Sequence, residues 1–434
     1  VPASPQRVPA RLPGAGDAGT NGTIRTSELD CGLLLVTESM PEVRSLSVGC
    51  WIGTGSRDET AAQEGISHLL EHLLFKGTPQ RSARDIAEAI DAVGGDMNAY
   101  TTKEYTTFYV RTLARDADLA LDVLSEILRD PALRPDEVDA ERQVVLEELL
   151  MHLDEPADLV QEREAAALFP GHPLGKEVLG DPDVVAAVTV DELRAFFDHH
   201  YRPGNMVLSA AGELDHDELA AGLERRFAGW SGGSRPVREP PVESPTPVDV
   251  LERDTEQAHL VVGVRAVERR SPERFALDLV NHTLGGGVSS RLFQKIREER
   301  GLAYSVTSER AAYDDAGALT VSVGTAPEHA AEVLELVRAE IDAITAGGIT
   351  ERELEVAKGS LSAELLLSLE DSGARMSRIG GSQLLHGEVL PVEEVLARID
   401  AVTLEDAAGV AARVLGGERA LAVVGPFGSA EELL

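Results

Sequence analysis

Residues 187–212, AVTVDELRAFFDHHYRPGNMVLSAAG, return in altered form as residues 401–425, AVTLEDAAGVAARVLGGERALAVVG. In each copy a threonine (Thr189, Thr403) stands three residues before an acid (Glu192, Asp406), the reciprocal cap that starts a helix, and an apolar strand follows. A second correspondence pairs the helix beginning after Pro135 with the one beginning after Thr350. Two copies of one helix–strand unit about 210 residues apart imply an internal duplication. The polar, proline-rich stretch SGGSRPVREPPVESPTP divides the copies, and the chain reads as an arm (residues 1–22), a first domain (23–230), a linker (231–247) and a second domain (248–434). Strands are expected at Gly32–Glu38, Ser45–Ile52, Asp96–Thr101, Thr106–Leu113, Met206–Ala211, His259–Val264 and Leu319–Gly324. Mixed with helical segments in both halves, they give an α+β fold class.

Composition narrows the function. At 434 residues each half can bury its own core, and 43% hydrophobic with 26% charged residues is ordinary for a globular protein. No apolar run approaches the ~18 residues that span a bilayer, so no membrane partner is expected. A net charge of −35 argues against nucleic acid, whose phosphates need a cationic surface. The same charge would draw basic peptides into a cleft. Cys31 and Cys50 are too few for a disulfide framework, and Cys31 falls in an Asp-Cys-Gly turn between strands; unpaired thiols fit a reducing compartment. Val1–Asn21 lacks the continuous apolar segment of a secretory signal, and a cytoplasmic protein with a loose arm is expected.

The chemistry sits in ISHLLEHLLF, residues 66–75. On a helical wheel His68, Glu71, His72 and Phe75 share one face, and every other position except Ser67 is Ile or Leu. Such a helix is buried on nearly all sides, so its polar stripe must face something unusual. Two imidazoles one turn apart can grip one cation, with the intervening Glu71 in reach of a water on that cation as general base. Catalytic zinc takes three protein ligands, and DEVDAERQVVLEELLMHL, residues 136–153, supplies the third. There Glu148 and Glu141 fall between an apolar arc (Val138, Val145, Leu146, Leu149, Leu150, Leu153) and a second patch (Val144, Met151), whereas Glu147 points away to solvent. Carboxylates buried between apolar patches need a cation or donors. Glu148 is therefore the expected metal ligand, and Glu141, two turns earlier, the partner of a ligand imidazole N–H, a role weighed against an ordinary salt bridge.

H-x-x-E-H followed after 75 residues by Glu148, within ERQVVLEE, resembles the pitrilysin and mitochondrial processing peptidase family of inverted zincins. FPGHPLG (169–175) and GGGVSSRLFQKIREERGLAYSV (285–306) extend the resemblance to nearly the whole chain and to the family's short two-domain members. The resemblance implies a zinc endopeptidase with one zinc ion per chain. It also implies two mainly antiparallel sheets packed with helices, and half of a clamshell chamber closed by a homodimer or by a heterodimer with a related subunit. Arg297 and Tyr304 match the family's pair that holds the substrate carbonyl, Asn98 and Ala99 its peptide-binding edge strand, and Gly285–Gly287 a flexible loop. The second half should bind no zinc: FALDLVNHTL (275–284) lacks the motif, and Ala357 stands where Glu141 does. Two rival readings remain, a non-catalytic scaffold or presenting subunit, against which the intact triad argues, and a metal-dependent hydrolase of small molecules, against which the strand-pairing edge argues.

Overall fold

A computed structural model describes residues 23–433, so the arm expected at residues 1–22 lies outside the described residues. The first sheet contains β1 (Thr23–Glu28), β2 (Leu34–Ser39), β3 (Ser45–Ile52), β4 (Asp96–Thr101), β5 (Thr106–Leu113) and β6 (Met206–Gly212), in the order β1-β2-β6-β3-β5-β4. The second contains β7 (Val248–Glu252), β8 (Ala258–Ala266), β9 (Ala303–Ala312), β10 (Gly317–Thr325) and β11 (Arg419–Gly425), in the order β7-β11-β8-β10-β9. All pairings are antiparallel except β2 with β6 and β7 with β11. The order β2-β6-β3-β5-β4 therefore maps onto the whole second sheet, down to the place of the single parallel pair. The duplication is thus a property of the topology, with β1 added to the first sheet alone.

Helices fall into the same scheme. Between β3 and the linker lie α1 (Ile66–Leu74), α2 (Ala83–Ala92), α3 (Ala117–Arg129), α4 (Pro135–Asp154), α5 (Pro156–Leu168), α6 (Pro182–Ala187), α7 (Val190–His200) and α8 (His216–Arg226). After β8 come α9 (Arg274–Asn281), α10 (Ala330–Gly347), α11 (Glu351–Ser368), α12 (Ser372–His386), α13 (Val392–Ala401) and α14 (Leu404–Leu415). Reciprocal caps open α7 (Thr189 with Glu192), α11 (Thr350 with Glu353) and α14 (Thr403 with Asp406), so two of the caps read from the repeat are present in full. β1, β7 and β9 lie outside the strands expected from pattern. All three are sheet edges with charged or polar residues (TIRTSE, VDVLE, AYSVTSERAA), which lack the apolar alternation of a half-buried strand.

Central strands β6 (MVLSAAG) and β11 (RALAVVG) are buried almost end to end. A strand buried on both faces needs a cover on each side of its sheet. One side is covered by helices of the same half, giving a core around Leu69, Phe108 and Leu208 and another around Leu277, Val321 and Val423. The other side is covered by exchange. From the second half, α12 brings Met376, Ile379 and Leu384 onto Val36, Trp51 and Val207 of the first sheet. From the first half, α5 brings Leu159 and Val160 onto Val261, Ala422 and Val424 of the second. Glycine makes room at corresponding points: a Cβ on Gly49 of β3 would strike Met376, and one on Gly263 of β8 would overlap Glu164. The two halves are interlocked, and neither sheet is covered by its own half alone.

A buried polar cluster pins the same junction. Glu104, in the β4–β5 turn and 2% exposed, accepts from Arg57 Nη1 at 2.7 Å, from Arg269 of the second half, and from the Asp314 backbone N–H at 3.1 Å. Arg57 also reaches Asp315, and Arg238 of the linker grips Asp58. Leaving one such buried charge unpaired costs about 3–5 kcal/mol. Cys31 and Cys50 are unpaired.

Glu164 on α5 gives the interlock a pH signature. Its carboxyl is buried, Oε1 has no hydrogen-bond partner, and burial pushes its pKa up to about 8 against the pull of Lys103. The folded chain therefore holds a proton that the unfolded chain releases near its ordinary value of 4.5. Stability contributed by this group falls as pH rises between those two values. Glu164→Gln should accordingly gain in Tm over the wild type as pH is raised from about 5 to about 8, at roughly 1.4 kcal/mol per pKa unit before relaxation. A difference in Tm independent of pH would contradict it.

Candidate metal centre

Helix α1 starts at Gly65, whose φ of +92° only glycine adopts freely, and its first turn is capped from a distance. Glu59 accepts the backbone N–H of Gly65 and of Ser67, both at 2.8 Å, and so satisfies donors that the turn leaves open. Ile66, Leu69, Leu70, Leu73 and Leu74 are fully buried, as a helix apolar on most sides requires. What remains is the stripe of His68, Glu71 and His72, with the two imidazole centroids 4.6 Å apart.

Helix α4 lies against α1 and brings in the third group. Glu148 Oε2 stands 3.7 Å from His68 Nε2 and 3.6 Å from His72 Nε2. Ligand atoms of His68, His72 and Glu148 all lie within 4.8 Å of one another. Donors about 2.0–2.1 Å from a tetrahedral zinc are themselves about 3.4 Å apart, so the trio has the span of such a site. His68 is ready as a ligand: burial, then the neighbouring His72, lower its pKa to about 4, which leaves a neutral imidazole with a free lone pair. His72 Nδ1 lies 3.0 Å from Glu141 Oε1, fixing the tautomer that frees Nε2 for a metal. Glu141 also meets Lys76 Nζ at 2.6 Å and is buried, so the ion pair and the imidazole contact coexist on one carboxylate.

Glu148 differs from expectation in one respect. Its side chain is 41% exposed, and Val144, Leu150 and Met151 are exposed as well. Only Val138, Glu141, Val145 and Leu149 of α4 are buried, because one face of the helix lies on its neighbours and the other faces open space. The second apolar patch thus stays largely exposed, and Glu148 stands at the border of the packed face. Glu147 is exposed, as its position on the wheel requires.

Glu71 is 8% exposed, and burial raises its carboxyl pKa above the ordinary range, opposed by a hydrogen bond from Thr101 and by His72. Thr101 Oγ1 donates to Glu71 Oε2 at 2.6 Å. Thr101 closes β4, the free edge of the first sheet, and Asn98 and Ala99 lie on that same edge strand. Asn98 Oδ1 accepts the Ala99 N–H at 2.8 Å. The structure therefore brings together the metal trio, Glu71 and one end of a strand able to accept a partner. Arg297 and Tyr304 come together elsewhere: Arg297 Nη1 donates to the Tyr304 carbonyl at 3.1 Å, and its guanidinium lies 4.7 Å from the centre of the Tyr304 ring. Tyr304 is 79% exposed, and among the described residues no hydrogen bond or ion pair joins this pair to the metal trio. Gly285 and Gly286 end a wide helical turn after α9.

Thr101, Glu59 and Lys76 have roles that sequence reasoning missed. Thr101 and Glu59 act across 30 and 6–8 residues, outside any helix or strand periodicity, and no local pattern marks them. Lys76, four residues past His72, carried a usable signal, because a cation just beyond the helix falls within reach of the acid expected to touch His72.

Two family models match in tandem. Residues 34–182 match the one described as Insulinase (Peptidase family M16), and residues 187–361 the one described as Peptidase M16 inactive domain. A protein of Streptomyces coelicolor described as an uncharacterized zinc protease is 44% identical over 94% of this chain and 90% of its own length. A Bacillus subtilis protein with the same description is 38% identical over 92% of this chain and 97% of its own. Among solved structures, a protease from Helicobacter pylori superposes with a TM-score of 0.87 at 22% identity, over 94% of this chain and 100% of that one. The peptidase M16 inactive domain from Pseudomonas fluorescens gives 0.86 at 22% identity, over 93% and 98%. At that identity the two structures speak for the fold alone.

The double contact of Glu141 can be tested through metal affinity. Replacing Glu141 with Ala should weaken zinc binding by roughly 10–100-fold, the usual cost of losing a ligand's hydrogen-bond partner, as read by competition with a chromophoric chelator. Affinity equal to that of the wild type would reduce Glu141 to the partner of Lys76.

Proposed function

The chain belongs to the insulinase family of peptidases, family M16, and on that premise we propose that it is a zinc-dependent endopeptidase acting on short or unfolded peptides. One zinc ion per chain is held by His68, His72 and Glu148. The observation that carries the reading is the convergence of those ligand atoms beside Glu71. Bound there, zinc supplies a Lewis acid that polarises a peptide carbonyl and acidifies a water.

The chain's own side chains do the rest. Glu71 is the general base that takes the proton from the attacking water and returns it to the leaving amine. Thr101 holds its carboxylate in one orientation through the 2.6 Å bond. An extended peptide adds to the free edge of β4 at Asn98 and Ala99, which places its backbone beside Glu71. Arg297 and Tyr304 supply a cation and a phenol to the developing oxyanion. Since they make no contact with the metal trio within the described chain, they serve the site from a facing wall, in a homodimer or in a heterodimer with a related subunit. A closed chamber of that kind admits peptides and excludes folded proteins. With a chain charge of −35, its walls favour basic peptides, and salt weakens the preference. Among the described residues no helix is long and apolar enough to cross a membrane, and a cytoplasmic site of action is part of the proposal. A presenting subunit without activity of its own is the alternative, favoured by the match of residues 187–361 to a domain described as inactive.

The test pairs metal content with cleavage. Zinc-loaded protein should hydrolyse an unstructured peptide and stop when a chelator is added. Glu71→Gln should retain its zinc with turnover lowered by about a thousandfold or more, the scale of a lost general base together with a disturbed nucleophile. A wild type loaded with zinc and inert toward unstructured peptides of every charge would favour the presenting subunit.

A further inference from the structure

Arginines around the junction of α9, α12 and α13 are mostly paired: Arg269 with Glu104, Arg270 with Asp314, Arg310 with Asp278 and Arg398 with Glu394. Arg274 and Arg378 are not. Among the described residues neither has a carboxylate within ion-pair distance, although acids outnumber cations 75 to 40 in the chain. Arg274 opens α9, donates to the Ser271 carbonyl and lies 4.5 Å from the centre of the Phe275 ring. Arg378 donates to the Leu390 carbonyl, and its Nη1 is buried with no hydrogen-bond partner. A buried guanidinium N–H without an acceptor is costly unless something outside the chain accepts from it.

Both arginines line one cavity of about 160 Å³, shared with Ser382, His386 and Glu388. Ser382 follows Arg378 by one helical turn and so stands on the same face of α12. His386, the last residue of α12, is kept neutral: burial, then Arg274, Arg269, Arg270 and Arg310, lower its pKa to about 4. It can therefore donate one N–H without adding charge. Two guanidinium groups against the single carboxylate of Glu388 leave the lining net positive. The volume suits an ion of about five heavy atoms.

We propose that this cavity is a binding site for a small tetrahedral oxyanion of the phosphate class, held by Arg274 and Arg378 with Ser382 and His386 as further donors. Because α12 is the helix the second half lends to the first sheet, the anion ties that helix to α9 and tightens the interlock. The site is separate from the metal trio, and its test does not depend on peptidase activity.

Inorganic phosphate is titrated into the full chain while Tm is followed, with sodium chloride at matched ionic strength as the control. The wild type should show a rise in Tm that begins near a millimolar dissociation constant and then grows with the logarithm of phosphate, reaching about 2–4 °C at a hundredfold excess, as expected for a ligand bound only by the folded state. Arg378→Gln should abolish the rise, and Ser382→Ala should shift its onset to roughly fivefold higher phosphate, the scale of one lost hydrogen bond. If Arg378→Gln does not fold, Arg274→Gln takes its place. Titration calorimetry on the wild type reads binding directly. A rise linear in phosphate concentration, or one equal in wild type and variants, would be the general salting effect of phosphate and would overturn the site, as would the absence of calorimetric binding.

Discussion

The approach of α4 to α1 is the contact on which the candidate metal centre depends. A helix apolar on all but one stripe is stable only when buried, and burial makes unpaired imidazoles and carboxylates expensive unless each finds a partner. The structure answers for all of these groups but one, His68 Nδ1, which is buried without a partner. Glu141 takes His72 and Lys76, Thr101 takes Glu71, and Glu59 takes the open donors at the helix start. Besides that nitrogen of His68, what is left over is two Nε2 atoms and one Glu148 oxygen, a set of lone pairs facing a common point. Lone pairs crowded together repel, and a divalent cation turns that repulsion into binding.

Duplication explains why the same scaffold does this only once. The second sheet repeats the first in all its strands but β1, and α9 and α11 meet as α1 and α4 do. Yet α9 reads RFALDLVN, with no pair of imidazoles, and Ala357 fills the place of Glu141. Packing is kept while the polar stripe is gone. The second half carries Tyr304 on its own free edge strand, β9, and Arg297 in the helical turn just before it. Exchange of α5 and α12 binds the two specialised halves together, since each sheet would otherwise expose an apolar face.

Much of this was legible in the sequence where periodicity or local caps carry the signal. Ser45–Ile52, Asp96–Thr101 and Thr106–Leu113 form strands with the expected bounds, and the caps at Thr189 and Thr403 form as read. H-x-x-E-H on an apolar helix marked the polar stripe, and the wheel of α4 separated Glu148 from Glu147. Contacts between distant segments were not legible. Nothing local in PADLVQEREAAAL or SGARMSRIGGSQLLH says that each helix covers the other half's sheet, nor that Thr101 would meet Glu71. Exposure of Leu150 and Met151 was misread for a related reason: an apolar residue on a helix marks a face that could be covered, and only the fold decides whether it is.

X-ray absorption at the zinc edge, on full-length protein loaded with one equivalent of metal, probes the central claim most directly. Two imidazole nitrogens with carboxylate or water oxygens at about 2.0–2.1 Å, and a spectrum altered by Glu148→Ala, are the predicted result. A sulfur neighbour near ~2.3 Å, which would bring in Cys31 or Cys50, or a spectrum indifferent to the loss of Glu148, would contradict it.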